Sequence, residues 1–410
     1  MKKFVLVFFI ISLFSLPVFL SAEPTKIQVF KANLSLQEDL QNKTDENLNM
    51  FDFSKLDEVL QKLENSEEYG ASSFLEKVKQ LINGEYSGDF GGLFNSVSNI
   101  FVSDFKKLIP LLATILAIAI LSNLMSEFKV KSNKNLGNIV HFVCYNAIII
   151  IVCTSITNLI NVASGAISSM QSQMEIIFPI ILTLMASVGS TVSVGIYQPT
   201  LAMLSGLIVN IFNYIVLPIF IISFVISVVG NLSNNVKLNK FSSLLNDVFK
   251  WIIGVVFTVF TGVLTIKGIS AGSFDSVSIR TTKFAIKNYI PIVGGYLSDG
   301  FNILMASSVL IKNAVGTAGL FLIFISIISP IITILIFKWS LHLLSAFLEP
   351  MFDSKISNFL FSVSKAINML IASILCVALM YIISMGLLMT TANVYWGWKW
   401  VLLFLIGLYP

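Results

Sequence analysis

From Lys106 onward the sequence repeats one pattern, long apolar stretches separated by short basic or small-residue links. A helix needs about 20 apolar residues to cross the hydrocarbon of a bilayer. Stretches of that kind run at roughly 108–126, 139–163, 176–196, 200–230, 248–269, 314–337 and 366–390. Of the 410 residues 56% are hydrophobic and only 12% are charged, about half the charge of an ordinary soluble domain. A single soluble globule lacks its water-facing charge, and a disordered chain would need low hydrophobicity, so both are excluded. The expected fold is all-α: a polytopic transmembrane helical bundle of about seven spans, six to eight being allowed, with a small helical exported N-terminal segment.

Three places leave the count open. The 200–230 run would be about 45 Å long as one helix, and Asn210, Asn213 and Pro218 offer points at which to break it. The stretches 289–312 and 400–409 are too short to span straight and read as re-entrant or interfacial. Lysines and the arginine flanking the spans divide evenly between the two sides, so the positive-inside rule does not fix the orientation.

Charge divides the chain into two solvents. Between Glu23 and Phe105 stand 15 acidic residues and 7 lysines, a balance of −8, whereas the part from Lys106 onward carries 17 basic and 7 acidic groups, a balance of +10. Ahead of both, Lys2-Lys3, an apolar run from Phe4 to Leu16 and the small pair Ser21-Ala22 read as a secretory signal peptide cut after Ala22. An uncleaved anchor helix is the alternative, since Leu20 is not ideal at the −3 position. Either way the acidic part starts outside the cytoplasm. The domain division is 1–22 signal peptide, 23–105 acidic extracytoplasmic helical segment, 106–390 multi-spanning membrane domain and 391–410 aromatic and apolar tail.

Within the exported segment Phe53, Leu56, Leu60 and Leu63 recur at helical spacing, as do Phe74, Leu75, Val78, Leu81 and Ile82. Ser73 and Glu76 form a capping box for the second set, which closes at Asn83-Gly84. Residues 24–50 are polar and read as loose. A third amphipathic stretch, Leu93 to Phe101, leads toward the membrane and is expected on the bilayer surface or on a partner.

Polar residues inside the spans fall in stripes. Thr154, Thr157, Asn158 and Asn161 share one helix face, and Thr183, Ser187, Ser190 and Thr191 share another. Such faces are expected to turn toward other helices, either as interhelical hydrogen bonds or as lining for a water-filled path. Ionisable groups at mid-span are nearly absent, with Glu175 before the third span and Lys267 near the end of the fifth, which disfavours a proton-driven pump. Arg280, Lys283 and Lys287 stand at i, i+3 and i+7 ahead of Pro291, the pattern of an interfacial helix drawn to anionic lipid or to a partner. Arg280 is the single arginine beside 25 lysines, and its planar fork suits a carboxylate or phosphate.

Chemistry is not visible. Cys144, Cys153 and Cys376 lie in apolar runs and form no disulfide framework or zinc pattern. His141 and His342 have no HExxH partner, there is no GxxxxGK[ST] loop, and the spans hold no nucleophile with a base. No enzyme activity, cofactor, metal or nucleic-acid partner is expected.

Two stretches carry a resemblance: FPIILTLMASVGSTVSVGIYQP, Phe178 to Pro199, and GVLTIKGISAGSFDSVSIRTTKFAIKNYIPIVGGYLSDGFNILMASSVLIKNAVG, Gly262 to Gly316. They closely resemble the stage III sporulation protein AE family of endospore-forming bacteria. The resemblance implies a membrane subunit, a channel platform or permease-like component, of the complex that joins mother cell and forespore. Its implied partners are the other stage III A proteins, including a secretion-type ATPase, and the stage II Q protein of the forespore, with the exported segment in the intermembrane space. Energy would then come from the ATPase. A stand-alone small-molecule transporter and a non-conducting membrane scaffold are the alternatives.

Overall fold

The computed structural model describes residues 34–48, 50–62, 73–84, 90–128, 134–232, 238–289, 294–350 and 354–391. The signal peptide, its cleavage after Ala22 and the tail beyond Thr391 lie outside the described residues. Among those described, helix is the sole regular structure. Three short helices come first: α1 (Leu34–Leu48), α2 (Ser54–Lys62) and α3 (Phe74–Asn83). Long ones follow: α4 (Phe90–Phe128), α5 (Lys134–Ser187), α6 (Thr191–Ile211), a π-helical turn (Phe212–Val216), α7 (Leu217–Leu232), α8 (Asn239–Tyr289) and α9 (Gly294–Leu348). Last come α10 (Ser354–Ala366) and α11 (Asn368–Thr390).

The chain is an all-α helical bundle with six helical stretches long and apolar enough to cross a membrane: Val97–Leu124, Phe142–Ser187, Thr191–Gly230, Lys240–Gly268, Gly300–Leu348 and Lys355–Thr390. The count falls within the expected range, but the partition differs. The expected spans 139–163 and 176–196 do not form two helices divided at the polar stretch between them. Residues 134–187 are one helix, because Ser, Gln and a lone Gly in that stretch remove no backbone donor and water is not needed to satisfy them. The break comes at Gly189, whose φ of +87° is a left-handed backbone that only glycine adopts without strain. Conversely, the 200–230 run is not broken. Pro218 lacks an N–H, and the helix passes it through the π-helical turn at Phe212–Val216, where the Leu217 amide reaches back to Phe212 O.

α9 is the axis of the body. It packs against α1, α3, α4, α5, α8, α10 and α11. Side-chain bonds fix α5 antiparallel to it: Ser187 Oγ lies 3.0 Å from Ser308 Oγ at one end, and Gln173, fully buried, donates to Ser326 farther along. At the opposite end Ser345 and Ser357 bond to each other across the α9–α10 turn, through both side chain and backbone. Six traversals return residue 391 to the end where α5 meets α6. Seven would have left it at the other end.

Helices α1 to α3 are not independent of this body. Phe53, Leu56, Phe74 and Val78 belong to the same apolar core as Ile181, Leu322 and Leu370. α1 is itself helical where a loose segment was expected, since its buried Leu48 and Thr44 give it a surface to pack on. The expected cap of α3 is present: the Glu76 amide donates to Ser73 Oγ at 3.2 Å, and Gly84 closes the helix at φ +71°. Leu93 to Phe101 forms the first turns of α4 rather than a separate surface helix, so it continues straight into the apolar stretch. Likewise, 289–312 is for the most part the beginning of α9.

Candidate functional site

The two stretches that carried the family resemblance meet at one end of the bundle, and two buried charges hold them there. α6 begins after the Gly189 turn with Ser190 at its cap position, yet the Ser190 side chain makes no cap bond. Asp275 of α8 supplies the cap from across the bundle. Its carboxylate accepts from the Val192 amide at 3.1 Å and the Ser193 amide at 3.2 Å, and Asp275 is only 2% exposed. The first amides of a helix have no partner within it and carry the positive end of its dipole, so a carboxylate is both a bonding and an electrostatic match. Below it, Val188, Ile279 and Met305 close a small apolar cluster.

Lys312 does the complementary work at a helix C-terminus. It stands in α9 with no exposed surface, and its ammonium donates to Met389 O at 3.0 Å and to Thr391 O, the last carbonyls of α11. A cation there meets unpaired carbonyls and the negative end of the dipole. Tyr197 of α6 joins the two caps, its hydroxyl 3.2 Å from Thr391 Oγ1. The approach is close on both sides. A Cβ at Gly268 would strike the Tyr197 hydroxyl, and one at Gly316 would lie 2.6 Å from Met389 Cγ.

Neither charge was singled out in the sequence. Lys312 falls at the end of the 289–312 stretch, ahead of the expected span 314–337, and only the reading of 294–348 as one helix places it in mid-helix. Asp275 sits in a run of Ser and Gly that gives no sign of its burial. The expectation that ionisable groups are nearly absent at mid-span needs correction at Lys312, which lies within Gly300–Leu348, whereas Asp275 stands past the end of Lys240–Gly268.

The expected polar stripes are present, and within this chain they lie on an exposed face. Thr154, Asn158, Asn161, Thr183 and Ser187 are all exposed on one continuous face of α5, together with Thr157, Ser168, Ser172 and Glu175. Among the described residues no helix covers this face, because the opposite side, with Ile148, Val152, Ile156, Leu159 and Ile181, fills the core. Several hydroxyls are satisfied by their own helix: Thr154 donates to Ile151 O, Thr157 to Cys153 O and Thr183 to Pro179 O. Ser187 is the member that also reaches another helix, at Ser308. Ser190 is buried in the turn, off this face. Arg280 and Lys287 are exposed on α8, while the Lys283 side chain lies outside the described residues. The expected interfacial helix is the C-terminal part of the same helix that contains the span Lys240–Gly268.

Among the described residues no group of three His, Cys, Asp or Glu could hold a metal ion. The three cysteines are free thiols, and Cys144 and Cys376 are buried.

Helix lengths, the shared core and the caps define a polytopic helical membrane protein whose characteristic element is this doubly capped helix junction. The profile of the family described as stage III sporulation protein AE matches residues 72–392, and the chain belongs to that family. Stage III sporulation protein AE of Bacillus subtilis (strain 168) is 27% identical over 321 residues, covering 77% of this chain and 79% of that protein. No solved structure matches. The chain is thus a sporulation membrane protein, and the matched region contains the whole capped junction and the polar face of α5.

Proposed function

We propose that this protein is the channel-platform or permease-like subunit of a complex that carries small molecules from mother cell to forespore during endospore formation. The observation that carries the reading is the outward face of α5. Thr154 to Ser187 spans 33 residues, about 50 Å at 1.5 Å per residue, longer than the roughly 30 Å of bilayer hydrocarbon. Asn158 and Asn161 on it make no hydrogen bond to the described residues, and Glu175 is bonded by Gln171 of the same helix. Such groups are costly against lipid tails and inexpensive against water or a polar partner.

On this reading the protein sits in the mother-cell membrane around the forespore, with 23–105 in the intermembrane space. It works beside the other stage III A proteins, whose secretion-type ATPase supplies the energy, and beside the forespore's stage II Q protein. Membership of a family that is not an enzyme family is in keeping with a non-catalytic role. Deleting the gene is expected to leave engulfment intact and to abolish late forespore gene expression. Normal spore yield in the deletion strain would sink the proposal.

A further inference from the structure

The part of α8 beyond Asp275 presents a face that none of the described residues covers. Phe274, Val277 and Phe284 are 64%, 66% and 64% exposed, and Arg280 and Lys287 lie exposed beside them. Neither cation makes an ion pair among the described residues. Aromatic side chains next to an arginine are the composition of protein interface anchors.

An acidic counterpart exists on the same chain. Residues 34–62 hold seven acidic groups and three lysines. Asp45, Glu46 and Asp52 are exposed there, with Met50 at 69% exposure among them. Both surfaces are anchored at one level of α9. Asn47 of α1 donates to Ser307 at 3.2 Å, and Ile279 of α8 packs with Met305. Positions 305 and 307 are two residues apart, about 200° around a helix of 3.6 residues per turn. The acidic surface and the cationic aromatic surface therefore stand on opposite sides of α9 at equal height, and cannot meet within one chain.

We propose that the cationic aromatic face of α8 docks the acidic α1–α2 surface of a second copy of this chain. Copies in one bilayer share an orientation, so complementary surfaces about 200° apart at equal height give a head-to-tail contact that repeats along a row turning by about 20° per copy, and the row becomes a ring when that turn closes on itself. Met50 then faces the Phe274 and Phe284 rings, and Arg280 and Lys287 face Asp45 and Asp52. The inference deepens the platform reading, since a ring is how a single outward polar face such as that of α5 comes to enclose a path.

The test uses two differently tagged full-length copies expressed in one membrane, solubilised in mild detergent and captured through one tag. Wild-type copies are expected to be recovered together at low salt and to separate at high salt. R280E/K287E and, separately, D45K/D52K are each expected to lower recovery of the second copy by about tenfold. The fourfold variant carrying both reversals is expected to restore it, because every contact in the ring is then reversed. Thermal unfolding in detergent, unchanged in the two double variants, separates lost docking from lost folding; if either unfolds early, cross-linking of R280C in one copy to D52C in the other replaces it. Absence of co-capture by wild type, or failure of the fourfold variant to recover it, would overturn the proposal. So would loss of binding to anionic vesicles by R280E/K287E with co-capture intact, which would assign the face to lipid. A normal deletion phenotype would leave this result standing while sinking the transport reading.

Discussion

α5 and α9 are nearly equal in length, both contain a proline, and both cross the body, yet their surroundings differ. α9 is wrapped by seven other helices, and its fully buried lysine, Lys312, is used internally on the end of α11. α5 is half wrapped, with its apolar side in the core and its polar side left open from Thr154 to Ser187. Burial separates the polar groups that hold the fold from those on the open face, and bonding says what each group does. Lys312 and Asp275 are each bonded to main-chain groups of another helix, whereas most hydroxyls on the open face of α5 are bonded to their own.

That contrast can be broken most sharply at Lys312. Replacing it by methionine keeps the volume but leaves the Met389 and Thr391 carbonyls buried without a donor. A loss of about 3 kcal/mol is expected from hydrogen bonds to a charged group, seen as a lowered midpoint of thermal unfolding in detergent. Asp275→Ala removes the cap of α6 and should cost about 1–2 kcal/mol by the same measurement, and Asp275→Asn should cost less, because one carbonyl oxygen still accepts. On the open face the signs separate. Asn158→Leu is expected to change stability by no more than about 0.5 kcal/mol and yet to reduce spore yield strongly. A stable variant with normal spores would favour the scaffold alternative.

The smallest effect concerns helices α1 to α3. Lys77 of α3 is buried over the Phe321 ring at 5.5 Å, and burial pushes its ammonium below the usual lysine range. A folded-state value below the unfolded one means that the folded form is penalised while lysine is charged. The docking of α3 should therefore strengthen as pH rises from the folded-state value toward the ordinary lysine value, and should change little below that window. Proteolysis around α3 as a function of pH checks this, with Lys77→Met as the control in which the dependence disappears.

Much of this was legible from the residues. Apolar runs specify helices that satisfy their own backbone, so the all-α fold and its membrane setting follow from local pattern, as do the Ser73 cap and the Gly84 stop. The exposed cations Arg280 and Lys287 were also readable, as was the existence of a polar stripe. The direction of the stripe was not. A helical period tells which residues share a face, but which face meets the core depends on where the neighbouring helices stand.

The same limit explains the span count. Polar residues between 163 and 176 resemble a loop when only hydropathy is weighed, although no residue there removes a backbone hydrogen bond. Sequence by itself determined that this chain must bury its backbone in helices and place them in a bilayer, because the free energy of exposed amides in hydrocarbon leaves no other choice. Tertiary structure alone decided that Asp275 caps a helix 82 residues away and that Lys312 caps one 77 residues on. It also set the acidic and cationic surfaces on opposite sides of α9. Those pairings arise from long-range packing, and no local pattern of residue types encodes which distant helix end a buried charge will reach.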